Sequence, residues 1–139
     1  MRALASSLAI ALAAAASAAA AAQPPPDPSI YGVWIGKHKN VKVQTKPCGK
    51  ALCGSVVWAT PDALQEARNS GTDNLIGLQL FSGYHRTNDG DWEGKVFVPD
   101  LKRTFYSRIK QVGPDQLRIS GCILGGLICK YQTWTRTND

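Results

Sequence analysis

The segment Arg103–Cys122 reads RTFYSRIKQV-GPD-QLRISGC, and its pattern decides the fold. On both sides of the central Gly-Pro-Asp sequence, apolar residues alternate with polar ones, which is typical of a half-buried β-strand. Glycine, proline and aspartate in succession favour a tight reversal of the chain. The segment therefore predicts two antiparallel strands, at 103–112 and 116–122, joined by a turn at 113–115.

The same alternation recurs in both directions along the chain. Six further strands are predicted, at Tyr31–Gly36, Val41–Lys46, Ser55–Ala59, Ile76–Leu80, Trp92–Val98 and Leu127–Arg136. One segment has a helical pattern instead. This pattern predicts a short helix near 61–69 or, as the alternative, a helical loop. Thr60 is a good N-cap for the helix, and Pro61 suits its first position.

Eight short strands in sequential order predict an all-β domain. We expect a single eight-stranded antiparallel up-and-down barrel, because closing the sheet on itself removes its exposed edges. The interior of such a barrel is wide enough for packed side chains or for one small ligand. A sandwich of two sheets is the alternative architecture.

The N-terminal residues predict export. A positive start at Met1-Arg2, an uncharged alanine-rich run and small residues at 20–22 indicate a signal peptide at 1–22. Alanine is too weakly lipophilic to favour a transmembrane anchor. The proline-rich residues 23–29 predict an extended tether, and 30–139 form the barrel domain. We expect a periplasmic or secreted protein with no membrane span after signal cleavage.

The four cysteines, Cys48, Cys53, Cys122 and Cys129, fit this compartment. An even number of cysteines in a small exported domain indicates disulfides, and four allow three pairings. We favour the local pairs 48–53 and 122–129, because proline and glycines near each pair suit a tight turn. A four-thiolate zinc site is the alternative, although only the first spacing resembles a zinc knuckle.

The chain is basic, with 16 Lys and Arg against 10 Asp and Glu, a net charge of +6. In an exported protein this balance favours a solvated face near anionic lipid or polysaccharide over nucleic acid. We therefore expect no nucleic-acid partner.

No motif for catalysis or metal binding is present. His38 and His85 have no evident nucleophile or base beside them, and their spacing matches no zinc ligand set. Asp89, Asp91 and Glu93 alternate in a manner that suggests calcium, but the bidentate Glu that closes an EF-hand loop is absent. We predict no catalytic residue, no metal and no cofactor, and hence a protein that is not an enzyme.

Several motifs in order resemble a known family. They are Ile30-Tyr31-Gly32-Val33-Trp34, Pro47-Cys48-Gly49, Leu52-Cys53-Gly54, Gly77–Leu80, Trp92-Glu93-Gly94-Lys95, Val98-Pro99-Asp100, Gly121-Cys122 and Gln132–Arg136. Together they resemble the exported bacterial proteins grouped as domain of unknown function 2147. The resemblance implies a lipocalin-like or calycin-like barrel and brings no activity or site residues with it. One departure is Leu101, where the family pattern has a glycine before the lysine.

The start of the first strand carries a second resemblance. Gly32-Val33-Trp34 is similar to the Gly-x-Trp signature of lipocalins, in which the tryptophan packs near a basic residue of the last strand. The resemblance implies that Trp34 and Arg136 close the barrel here. A guanidinium over an indole contributes about 0.5–2 kcal/mol, depending on desolvation.

Two functions follow from this architecture. The first is binding of a small apolar ligand inside the barrel, and the alternating runs nominate a lining of Trp58, Leu78, Val96, Phe105, Ile109, Leu117 and Ile119. The second is an envelope protein-interaction module, such as an inhibitor or assembly factor, with a filled barrel and active loops near His38, Leu64 and 124–127. An open apolar cavity of a few hundred Å³ favours the first function.

Overall fold

The alternating segments form eight strands in the computed structural model, which describes residues 30–138. Each strand pairs antiparallel with the next, and the last pairs with the first, so the sheet closes into a barrel. The predicted all-β up-and-down barrel is confirmed, and the two-sheet sandwich is excluded by this closure. The strands are β1 Gly32–Ile35, β2 Val41–Cys48, β3 Ala51–Ala59, β4 Gln79–Arg86, β5 Trp92–Val98, β6 Arg103–Gly113, β7 Gln116–Ile123 and β8 Ile128–Thr137.

The predicted helix is present as α1, Pro61–Asn69, between β3 and β4. The Thr60 hydroxyl accepts a hydrogen bond from the backbone N–H of Ala63 at 3.2 Å, which satisfies one of the free donors of the first turn. Ala63 and Ala67 are buried on one face of the helix. Two single turns of 3-10 helix, Pro99–Leu101 and Leu124–Gly126, connect β5 to β6 and β7 to β8.

The predicted strand at Ile76–Leu80 is wrong in its position, because β4 begins only at Gln79. Gly77 has a φ of +87°, which bends the chain before the strand. The register of β4 shifts against both β3 and β5, so consecutive residues such as Leu80 and Phe81 are both buried. These irregularities remove the period-two pattern by which a strand is recognised in sequence.

Up-and-down topology sends successive connections to alternate ends of the barrel. One end carries the turns at 49–50, 87–91 and 114–115, and we call it the closed end. The opposite end carries the connections 36–40, 60–78, 99–102 and 124–127, and we call it the open end.

At the closed end, Arg136 joins the last strand to the first. It pairs with Trp34 across β8 and β1, and its guanidinium carbon lies 4.2 Å from the centroid of the Trp34 ring. The guanidinium also donates hydrogen bonds to the carbonyls of Tyr31, at 3.0 Å, and Pro114, at 3.1 Å. One side chain therefore bridges β1, β8 and the turn between β6 and β7.

The indole beneath this guanidinium has its own polar partners. Trp34 is fully buried, and its Nε1 donates to the Ile30 carbonyl at 3.2 Å and to the Thr45 hydroxyl at 3.1 Å. The Thr45 hydroxyl in turn donates to the Ile30 carbonyl at 2.7 Å. These bonds matter because an unpaired buried donor costs about 1–3 kcal/mol.

Two buried hydroxyls in the barrel interior differ from this pattern. Tyr84 and Ser107 are fully buried, and their hydroxyls have no well-formed hydrogen bond among residues 30–138. Burial raises the pKa of Tyr84 well above its usual value, and the nearby Ser107 hydroxyl opposes a part of this rise. The folded protein therefore strongly favours the neutral form of Tyr84.

We expect Gly32→Ala to destabilise the closure. Gly32 has a φ of +146°, and a Cβ there would lie 2.5 Å from the Arg136 Nη1 atom. The substitution should lower the free energy of unfolding by about 1–3 kcal/mol in urea titrations. Gly113→Ala is the matched control, because a Cβ at Gly113 meets no atom within 4 Å. Equal effects of the two substitutions would contradict this role of Gly32.

We also expect stability to fall at alkaline pH through Tyr84. Above pH of about 10 an unfolded tyrosine loses its proton while folded Tyr84 keeps it, so the unfolded state is favoured by up to about 1.4 kcal/mol per pH unit. In urea titrations at rising pH, Tyr84→Phe should reduce this slope. Tyr131→Phe, which removes an exposed tyrosine, should leave it unchanged. A wild-type slope in Tyr84→Phe would show that other groups cause the alkaline loss.

Candidate functional site

A cavity of about 560 Å³ occupies the open-end half of the barrel. Its walls are the inward-facing side chains of most strands together with residues of the open-end connections. The apolar side chains that line it include Leu80, Phe81, Val96, Phe105, Ile119 and Trp134. The cavity is therefore a pocket in the barrel interior with a predominantly aromatic and aliphatic wall.

The closed-end half of the barrel is filled. Ile109 and Leu117 are fully buried there, with Trp92 nearly so. Phe81 packs edge-to-face against Trp134, with ring centroids 5.7 Å apart, and against Tyr84 at 5.9 Å. These rings separate the cavity from the filled half and give it an apolar floor.

Helix α1 contributes to the wall of the cavity near its mouth. Ala63 and Ala67, four residues apart on the buried face, both line the cavity, and Leu75 after the helix does so too. Because alanine has the smallest side chain that still suits a helix, this face leaves space below it. Glu66 lies at the edge of the same face.

Charged groups at the mouth are segregated by sign. Lys37 and His38 lie in the connection between β1 and β2, and Lys130 lies on the neighbouring β8. Glu66 and Asp100 lie on α1 and on the 3-10 helix after β5. Since β8 and β1 adjoin, whereas α1 follows β3 and the 3-10 helix follows β5, the two lysines and the two carboxylates occupy different arcs of the mouth.

The inner wall of β8 also carries polar groups. Lys130, Gln132 and Trp134 alternate on its cavity-facing side, and Gln132 accepts a hydrogen bond from Trp134 Nε1 at 3.2 Å. Lys130 on β8 pairs with Gly121 on β7, and Gly121 has no side chain to occupy the same space. The wall is therefore apolar in its lower part and increasingly polar towards the mouth.

Three of the seven nominated lining residues contact the cavity: Val96, Phe105 and Ile119. Ile109 and Leu117 face inward but fill the closed-end half, so their assignment to the lining is corrected. Leu78 is also corrected, because it precedes β4 in the bend at Gly77. Alternation identifies the inward face of a strand, but it does not indicate how far along the barrel the filling ends.

Trp58 is the fourth correction. The register of β2 against β3 shifts between Lys42 and Val43, leaving Val57 as an extra residue on β3. This bulge turns Trp58 to the outer surface, where it is 41% exposed and Lys42 Nζ lies 5.1 Å from its ring centroid. Strict alternation from Val56 would have placed it inside.

The sequence interpretation missed several cavity residues. Leu80 and Phe81 were missed because the irregular register of β4 hides its pattern. The alanines of α1 were missed because their small size gives no apolar signal. Trp134 lies in a family motif of the last strand and is not among the nominated lining residues. The signal that points to it is the alternation of β8, whose even-numbered residues share one face.

The four cysteines form two local disulfides at opposite ends of the barrel. Cys48–Cys53 joins β2 to β3 at the closed end, with Cα atoms 5.6 Å apart, and Cys122–Cys129 joins β7 to β8 at the open end, with Cα atoms 4.1 Å apart. Each sulfur is bonded to another, so these thiols do not form the alternative four-thiolate site.

The acidic hairpin between β4 and β5 surrounds an arginine. The Arg108 guanidinium lies 2.6 Å from Asp89, 3.1 Å from Asp91 and 3.8 Å from Glu93. A hydrogen bond from Thr87 and the charge of Arg108 hold the pKa of Asp89 below its usual range. These carboxylates, whose alternation in sequence suggested calcium, form a partly exposed ion-pair cluster around Arg108, away from the cavity.

Comparisons with known proteins agree with this fold. The family model described as "Uncharacterized protein conserved in bacteria (DUF2147)" matches residues 32–136. A solved structure, a protein from Helicobacter pylori described as belonging to the lipocalin family, is similar with a TM-score of 0.61 and 15% identity. The match covers 78% of this chain and 83% of that protein. No curated protein sequence matches the chain significantly.

Proposed function

The chain belongs to the uncharacterised bacterial family DUF2147, and from this premise we propose that it is an exported binding protein for a small apolar molecule. The observation that carries the proposal is the cavity of about 560 Å³ at the open end of the barrel. Its volume falls within the range of small-molecule sites, about 300–1,000 Å³.

The chemistry of the cavity wall determines the class of ligand. Aromatic and aliphatic side chains make up its lower part, so an apolar group placed there loses contact with water and gains about 25 cal/mol per Å² buried. Polar groups occur near the mouth, at Lys130 and Gln132. This arrangement suits a molecule whose apolar part enters first.

Binding without catalysis fits the same arrangement. The titratable side chains that line the cavity all lie at its mouth, on connections, on α1 or near the start of β8. They are Lys37, His38, Glu66, Asp100 and Lys130. Among the described lining residues there is no serine or cysteine nucleophile for a base to activate. We therefore propose a non-enzymatic role.

The cavity favours this function over the interaction module. An inhibitor or assembly factor acting through its loops needs no internal space, and a close-packed interior would be the more stable arrangement for it. Here small residues, Gly121 and the two α1 alanines, keep the open-end half unfilled.

Two disulfides support export, because they persist in oxidising compartments. Within residues 30–138 there is no helix with the length and apolar character needed to cross a bilayer. The proposed signal peptide at 1–22 and tether at 23–29 lie outside the described residues. N-terminal sequencing of the protein purified from the periplasm would test cleavage after Ala22.

We expect Gly121→Leu to block the cavity. A Cβ at Gly121 meets only Val96 Cγ1, at 3.9 Å, so a side chain that begins there has room to extend into the cavity. Binding of N-phenyl-1-naphthylamine, a neutral apolar fluorophore, should weaken at least about tenfold, a loss of about 1.4 kcal/mol. Displacement of the fluorophore by fatty alcohols of increasing length would measure the depth of the site.

Gly113→Leu is the matched control, because Gly113 lies at the closed-end terminus of β6 and a Cβ there meets no atom within 4 Å. It should leave fluorophore binding unchanged, and both variants should unfold at the wild-type temperature. Failure of the wild type to bind any apolar probe, or equal binding by Gly121→Leu, would overturn the proposed function.

A further inference from the structure

An uninterrupted apolar sequence forms the connection between β7 and β8. Residues 123–128, Ile-Leu-Gly-Gly-Leu-Ile, contain no polar side chain, and we call them the hairpin tip. Leu127 is 85% exposed and Leu124 67% exposed, and both isoleucines are also exposed. Large aliphatic side chains clustered in water mark an interaction surface, because soluble domains seldom expose contiguous apolar patches without a function.

The hairpin tip is held in this arrangement by its backbone. The Cys122–Cys129 disulfide joins the two strands immediately below it. Leu124 has a φ of +52°, in the left-handed region that glycine and asparagine adopt more easily than leucine. Leu124 therefore has a strained backbone conformation and an apolar side chain exposed to water. Strained residues of this kind are commonly found at functional sites.

The hairpin tip is continuous with the cavity. Ile123 and Ile128 line the cavity as well as being exposed, and so does Leu101 on the 3-10 helix before β6. An apolar surface therefore runs from Leu124 and Leu127 through these residues into the barrel. None of the side chains of the hairpin tip is charged, so a molecule that leaves the cavity along this surface meets only apolar side chains of the tip.

Cations flank this surface. Arg103 begins β6, the strand beside β7, and Lys130 follows Cys129 on β8. Among residues 30–138, neither side chain forms an ion pair with a carboxylate. The whole chain also carries a net charge of +6. The Arg103 guanidinium lies over the Phe105 ring, 5.9 Å from its centroid, and keeps its positive charge there. An exposed aliphatic tip beside two cations that have no carboxylate partner complements a surface that is apolar inside and negatively charged outside.

The composition of the hairpin tip favours a lipid surface over a protein. Residues that dominate protein–protein binding are mainly Trp, Tyr and Arg, whereas leucine is under-represented among them. Aliphatic side chains, by contrast, insert readily into the boundary between headgroups and acyl chains, and neighbouring Lys and Arg add attraction to anionic lipids.

We propose that the hairpin tip inserts into the surface of an anionic lipid bilayer and places the cavity mouth against it. In this position an apolar molecule passes between the bilayer and the barrel without crossing water. Leu124 and Leu127, which make the insertion, do not line the cavity, so the contact does not depend on which molecule the cavity holds.

Co-sedimentation with vesicles tests the proposal. The purified full chain should bind vesicles of phosphatidylcholine mixed with phosphatidylglycerol and should bind phosphatidylcholine alone far more weakly. The double variant Leu124→Asn/Leu127→Ser should bind the anionic vesicles at least about tenfold more weakly, since each side chain loses its apolar insertion. Asparagine tolerates a positive φ, so this variant should keep its fold.

The matched control is Val57→Ser/Val112→Ser, which removes two aliphatic side chains of the outer surface that are 42% and 43% exposed. It should bind vesicles like the wild type. Arg103→Gln and Lys130→Gln should each weaken binding about fivefold and reduce its dependence on salt.

Several results would overturn the proposal. They are a wild-type protein that stays in solution with anionic vesicles, wild-type affinity in Leu124→Asn/Leu127→Ser, and equal losses in the control variant. A protein partner that captures the hairpin tip while vesicles do not would also overturn it. Binding of the apolar fluorophore by Leu124→Asn/Leu127→Ser, measured in parallel, separates this outcome from a failure of the proposed function.

Discussion

The pairing of β1 with β8 is the constraint on which the barrel depends. Each of the other strands is joined to its neighbour by a short connection or by α1, whereas β1 and β8 lie at opposite ends of the chain. Arg136 secures this pairing by stacking on Trp34 and binding the carbonyls of Tyr31 and Pro114. Stacking and hydrogen bonding thus act together at the one seam where the chain supplies no covalent connection.

The interior has two halves, which the rings of Phe81, Tyr84 and Trp134 separate. The closed-end half holds Trp34, the Thr45 hydrogen bonds and a filled core of aromatic and aliphatic side chains. The open-end half contains the cavity, and its small residues and its charged side chains are not part of the closure. The residues that close the barrel, Trp34, Thr45 and Arg136, are therefore different from those that line the cavity.

The fold was largely predictable from sequence, because alternation and turn residues act locally. Regular strands such as β6 and β7 were recognised from their patterns, and Thr60 with Pro61 marked the start of α1. The position of β4 and the orientation of Trp58 were not predictable, since both follow from register shifts between strands. The extent of the cavity depends on packing along the barrel axis. Ile109 and Phe105 follow the same alternating pattern in sequence, so that pattern does not reveal that Phe105 lines the cavity while Ile109 fills the closed-end half.

The buried face of α1 has a consequence for how such a protein can diversify. Ala63 and Ala67 border the cavity from a helix that is not part of the β-sheet. Exchanging them for larger or smaller residues therefore changes the volume of the cavity without altering any strand pairing. The helix between β3 and β4 therefore helps to set the volume of the cavity. A related chain with other residues at these two positions would have a cavity of different volume inside the same closed sheet.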